Sequence, residues 1–267
     1  MRGMWIGAAG LVLIAAALVA VREGPPIAPK DLPEMRALPG GVIDYRPSGS
    51  YRRGGQVVDP PPQRVEIAPG LEIMRLPVSQ ATYAACVADG ACAPTRTTGA
   101  ADLPQTLVNF HDAEALAGWL SARTGDLWRL PSGPEWAHAA AELYVEEAPR
   151  DRAGDPAAGW LEAYRRNAAQ RGDADPTLRP FGSYPENSLG VGHLGGNVWE
   201  WTTGCLETVD LDAPRETEAD YCGVRLAQGL HRAFIIDFVR DASVGGCAVG
   251  LPPDHLAIRL VRERRQG

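Results

Sequence analysis

The chain has 267 residues, of which 45% are apolar, 22% charged and 7% aromatic. That is enough for one large domain or two small ones around a substantial core. Its 30 glycines and 23 prolines exclude a helical bundle or coiled coil and predict many turns and short elements. With 26 basic and 33 acidic side chains the net charge is −7, which excludes the electrostatic footprint of a nucleic-acid-binding protein.

The mean hydropathy of −0.17 hides one strongly apolar run, Met4 to Val21, reading MWIGAAGLVLIAAALVAV without a charge. Its 18 residues sit at the lower limit for a membrane-spanning helix and also fit a long signal-peptide core. Residues 1–22 are therefore expected to be an uncleaved membrane anchor, with a cleaved signal peptide as the alternative. Either places the remainder in an exported, disulfide-permissive compartment, on the periplasmic face of a bacterial inner membrane. Residues 23–35 (EGPPIAPKDLPEM) hold four prolines and the chain's single lysine, Lys30, and read as an extended spacer. A lysine in such a stretch is poorly placed for Schiff-base chemistry.

A domain is expected over 36–267, with turn signals beginning at Leu38-Pro39-Gly40-Gly41. The pattern predicts helices over Gln80–Val87, with Ser79 as N-cap, and over Asp112–Thr124. In the latter Ala113, Leu116, Ala117 and Leu120 share one face and Gly125 closes the end. A third, shorter helix follows Ser132, with Glu135 completing a capping box. Tyr144–Pro180 and Cys205–Cys222 show no periodicity. The fold class read from this is α+β with much irregular structure. A Ser nucleophile elbow, P-loop, GxGxxG string or HExxH motif is lacking, so hydrolase, nucleotide-binding and metalloprotease readings have no support.

Two strings are distinctive: RLPSGPEW at 129–136 and GGNVWEW at 195–201. Upstream stand PVSQATY at 77–83 and the Asp112–Trp119 helix, between them FGSYPEN at 181–187, and at the end LAIRLVR at 256–262. In this order and spacing, over about residues 36 to 264, the chain resembles the formylglycine-generating enzyme, or sulfatase-modifying factor, family. The resemblance implies one compact C-type-lectin-like domain with low regular content. In catalytic members the reaction is a copper-dependent oxidation of a substrate cysteine by molecular oxygen, while other relatives perform different oxidations or none. Fold alone therefore does not settle function.

Physically the strings read mostly as packing signatures. Arg129 and Glu135 are spaced to pair, Trp136 is large enough to anchor a core, and Trp199 and Trp201 alternate as on a strand. Glu200, a carboxylate between two tryptophans, needs a partner. The resemblance implies calcium there, through the Glu200 carboxylate, the carbonyls of Gly196 and Val198, and the position of His193; a nitrogen ligand at that position departs from the family's oxygen donor. A second implied calcium set is Asn167, the carbonyl of Ala168, Asp173 and the carbonyl of Asp175. Copper is not expected. The family's two thiolates, which select Cu(I), fall near His231 and Ile236, and no cysteine occurs from Gly223 to Gly246.

The five cysteines are Cys86, Cys92, Cys205, Cys222 and Cys247. Cys86 and Cys92 flank a helix end turning through Gly90, and a local disulfide is expected. A second, Cys205–Cys222, would staple an acidic loop, with zinc as a weaker rival. Cys247 is left over: a buried thiol, a free thiol, an intermolecular bridge, or a metal ligand with His231, these two being the weak catalytic candidates. Together these readings predict a membrane-anchored accessory or binding module for a periplasmic or membrane protein partner. The alternative is a metal-dependent oxidoreductase with non-standard ligands.

Overall fold

The computed structural model describes residues 32–146, 165, 177–194, 198–213, 222–236, 238–239, 248–249 and 252–265. The apolar run 4–21, most of the spacer and most of the 144–180 stretch lie outside the described residues. Among the described residues no helix is long and apolar enough to cross a membrane.

The strands are short: β1 (Met35–Ala37), β2 (Gly41–Tyr45), β3 (Gly49–Arg53), β4 (Gln56–Val58), β5 (Gln63–Ile67) and β6 (Glu72–Met74) precede the first helix, α1 (Gln80–Ala88). Then come α2 (Phe110–Thr124), β7 (Leu127–Arg129), α3 (Gly133–Ala140) and a 3-10 turn at Ala141–Leu143. The later strands are β8 (Trp199–Cys205), β9 (Glu207–Asp210), β10 (Val224–Gln228), β11 (Ala233–Ile236), β12 (Phe238–Val239), β13 (Ala248–Val249), β14 (Leu256–Ala257) and β15 (Val261–Glu263). This is the expected α+β mixture, with few helices and many strands.

The caps follow the sequence. Ser79 accepts from the Thr82 amide at the start of α1, and Ser132 and Glu135 form the capping box of α3. Gly125 ends α2 in the left-handed conformation at φ 79°, which glycine adopts without steric cost. The second helix starts two residues earlier than expected, because Asn109 caps it and forms a capping box with Asp112. The stretch after Cys205 is also more ordered than its lack of periodicity suggested. Residues 207–210 form β9, held by parallel pairing to β3; a strand so short is fixed by its partner rather than by its own pattern.

Two four-stranded sheets organise the molecule, in orders β1-β6-β15-β7 and β11-β10-β8-β14. Smaller ribbons pair β2 with β5, β12 with β13, and β4 and β9 with β3. The main core lies under α1 and α2, where Tyr83, Leu116, Leu120 and Trp128 meet Trp201, Leu256, Ile258 and Leu260. A second cluster gathers Ile73, Trp136, Val191, Leu194 and Val261. Residues 256–263 thus contribute to both sheets and both clusters, and Arg259 sits in the middle of that segment.

Candidate functional site

Strand β8 presents Glu200 to the interior, and the segment between β14 and β15 brings Arg259 against it. Arg259 is fully buried and Glu200 is 2% exposed. Arg259 Nε donates to Glu200 Oε2 and Nη2 to Oε1, both at 2.8 Å. The remaining N–H groups go to main-chain carbonyls: Nη1 to Met74 and Arg75, Nη2 to Gly192. A guanidinium has five donors, and here each finds an oxygen. Trp136 of α3 adds a third hydrogen bond to the carboxylate, from Nε1 to Oε2 at 2.7 Å. One buried arginine therefore ties β6, the 190–194 loop and β8 together.

Nearby, His193 is 1% exposed, sits at φ 64°, and has neither ring nitrogen bonded. The rings of Tyr184 and Phe181 meet it edge-on, with centroids 4.8 and 5.5 Å away. Burial holds its pKa below the ordinary histidine value; the Glu200 charge opposes that and the Arg259 charge reinforces it. Of the expected calcium ligands, the described pair Glu200 and His193 is poorly suited to that ion. Calcium gathers about six to eight oxygen atoms, whereas both Glu200 oxygens already accept N–H groups, a fixed cation stands against them, and His193 offers nitrogen. Val198 is buried beside them. Gly196, Asn167, Ala168, Asp173 and Asp175 lie outside the described residues.

The RLPSGPEW string is likewise turned inward. Arg129 Nη1 and Nη2 each donate at 2.7 Å to a Glu135 oxygen, and the Ser132 amide donates to Oε2. Burial alone would raise the Glu135 carboxyl; the Arg129 and Ser132 donors outweigh it and hold the pKa below the ordinary value. Trp201 is fully buried and donates to the Val108 carbonyl.

At the two expected thiol positions the structure places unlike groups. His231 is buried, its Nδ1 lies 3.0 Å from the Arg232 carbonyl, and its Nε2 has no partner. Ile236 is 48% exposed on β11. Trp199 joins His231 to His255: its ring centroid lies 5.1 Å from one imidazole and 5.4 Å from the other, and its Nε1 donates to the His231 carbonyl. Cys86–Cys92 and Cys205–Cys222 are disulfides, as expected, so none of these four sulfurs is a free thiolate. Cys247 lies outside the described residues, and with it the His231–Cys247 pairing. No group of three or more His, Cys, Asp or Glu able to hold a metal ion occurs among the described residues. The ligands a copper bis-thiolate needs are thus not among them.

Beside His231, Arg232 was not singled out by its sequence context. Only 6% exposed, it stacks its guanidinium 4.7 Å from the Tyr45 ring centroid. Nη1 donates to the Arg46 carbonyl at 2.9 Å and to Ser48 Oγ, and Nη2 to the Tyr144 hydroxyl at 3.2 Å. Its Nε has no acceptor. Arg259 was legible in outline: one charge within Leu256-Ala257-Ile258-Arg259-Leu260-Val261 demands a buried carboxylate.

Comparison with known proteins agrees with this architecture. The profile of the sulfatase-modifying factor enzyme 1-like domain matches residues 22–264. The chain is 27% identical over 237 residues to the hercynine oxygenase of Mycolicibacterium smegmatis, covering 70% of this chain and 51% of that protein. It is 34% identical over 115 residues to the hercynine oxygenase of Mycobacterium tuberculosis, covering 40% of this chain and 23% of that one. It therefore spans about half the length of the first relative and less than a quarter of the second. PvdO from Pseudomonas aeruginosa superposes with a TM-score of 0.57 at 22% identity, covering 88% of this chain and 95% of that one. CarF gives 0.50 at 16%, covering 88% of this chain and all of that one. At such identities the superpositions speak for the fold alone.

Proposed function

Because the chain belongs to the sulfatase-modifying factor enzyme 1-like family, we propose that it is an exported, membrane-tethered module of that fold that binds a protein partner rather than oxidising through a copper bis-thiolate. One observation carries this reading: the cysteines of β8 and α1 are consumed in disulfides, while His231 and Ile236 stand where the two thiolates are expected. The signature strings support it too, since Glu200 is taken up by Arg259 and Trp136 and Glu135 by Arg129 and Ser132. The apolar run 4–21 and the proline-rich spacer support tethering on the periplasmic side of an inner membrane. Crosslinking followed by purification from solubilised membranes is expected to recover one stoichiometric partner. A partnerless chain that converts a Cys-x-Pro-x-Arg peptide when copper is supplied overturns the reading.

A second reading, an oxidoreductase with other ligands, is favoured by the hercynine oxygenase relatives and by the Trp199 corner, where His231 keeps a buried ring nitrogen unbonded. It requires a stoichiometric redox metal in the purified wild type, lost on His231→Ala or Cys247→Ser. A wild-type protein without such a metal disposes of it.

A further inference from the structure

Two buried arginines differ in one respect. Arg259 sets its Nε–Nη2 edge against a carboxylate, Glu200. Arg232 is buried nearly as deeply, yet its Nε has no acceptor and, among the described residues, it makes no ion pair. Its acceptors are two neutral oxygens on Nη1, the Tyr144 hydroxyl on Nη2, and the face of Tyr45. A guanidinium cannot shed its proton at any ordinary pH. A buried charge without a counter-ion is costly, and removing that cost is what a bound anion offers.

We infer that Arg232 is the anchor of a ligand site for a small-molecule carboxylate, received side-on by Nε and the second Nη2 hydrogen, as Arg259 receives Glu200. The two-oxygen edge suits a carboxylate bidentately. Arg46, whose carbonyl accepts from Arg232 Nη1, has a buried Nε without a hydrogen bond, but its charge is met by Glu146 at 3.6 Å and its Nη1 donates to the Pro60 carbonyl, which leaves Arg232 as the one of the two without a counter-charge among the described residues. The Tyr144 hydroxyl, at 3.2 Å, takes the other Nη2 hydrogen at the long end of the N–H···O range and leaves the Nε edge open to the carboxylate. This site is independent of the protein-partner reading, because it concerns a small ligand and stands or falls on Arg232 alone.

The test is thermal unfolding of the detergent-solubilised full chain titrated with sodium acetate, sodium succinate, acetamide or sodium sulfate at constant ionic strength. Acetate and succinate are expected to raise Tm saturably, and acetamide to leave it unchanged. Arg232→Met, which replaces an unpaired buried charge by an apolar chain of similar length, is expected to fold and to lose the response. Arg232→Lys, which keeps the charge and loses the fork, is expected to need about tenfold more acetate for half saturation. No saturable rise in the wild type, an equal rise in Arg232→Met, an undiminished response in Arg232→Lys, or tighter saturation by sulfate than by either carboxylate overturns the inference. Should Arg232→Met fail to fold, the Arg232→Lys midpoint decides.

Discussion

Arg259 grips Glu200 through two parallel hydrogen bonds of 2.8 Å, with neither side chain more than 2% exposed. Ion pairs this deep gain little over an apolar replacement of both partners, but breaking one strands a charge in the interior. Arg259→Met and Glu200→Gln are each expected to cost ~3–5 kcal/mol in urea unfolding. The double change Arg259→Met with Glu200→Leu should recover a good part of that loss. Single changes that cost less than about 1 kcal/mol, the range of an exposed pair, contradict this picture.

The same geometry makes a prediction about calcium. Trp136 donates its indole N–H to Glu200 Oε2, so its NMR cross-peak reports any cation that joins that carboxylate. Adding calcium or a chelator is expected to leave the peak in place. A saturable shift that survives Asp173→Asn shows calcium at Glu200 and refutes the assignment of that role to Arg259.

His193 sets a pH dependence. Its folded pKa lies below the ordinary value near 6.5 because burial disfavours the imidazolium. The unfolded chain therefore binds the proton first, and stability is full above about pH 6.5 and declines as the pH falls below it. His193→Asn, which tolerates the left-handed backbone at φ 64°, should flatten the curve just below about pH 6.5. Glu135, Glu72 and Glu34, whose pKa values are held low by arginine partners, add their own loss only further down, below about pH 4.5. An unchanged upper limb in the variant shows that His193 is not the titrating group.

The disulfides should contribute unequally. Cys205–Cys222 closes 17 residues and Cys86–Cys92 closes 6. On chain entropy the first is worth about 3 kcal/mol and the second about 2. Paired Cys→Ser variants compared by denaturant unfolding should rank in that order. A non-reducing peptide map that finds other pairings removes the basis for the ranking.

What the sequence made legible was local. Ser79, Ser132 with Glu135, and Gly125 signal their helix ends by chemistry acting within four residues, so they are readable without a fold. Asn109 does the same, ahead of the apolar periodicity that begins at Ala113. The pairing of Arg129 with Glu135 was likewise within reach of six residues. By contrast Glu207–Asp210 becomes a strand only because Gly49–Arg52 lies beside it, and Glu200 meets Arg259 across 59 positions. The surroundings of Arg232 depend on Tyr45 and Ser48 from one segment and Tyr144 from another, both far from it in sequence, and no spacing rule announces them.

Strand β15, near the end of the described residues, is an interior strand of its sheet: it lies between β6 and β7, while β14 just before it pairs with β8. β6 and β7 both precede in sequence the strand that joins them. The β1-β6-β15-β7 sheet cannot be completed until residues 261–263 bridge β6 and β7, so its assembly waits on strands far apart in sequence, whereas β8, β10 and β11 can pair without β14 at their edge. A chain lacking residues 256–263 would keep β8, β10 and β11 together but leave β7 without a strand partner and Glu200 without the guanidinium that neutralises it.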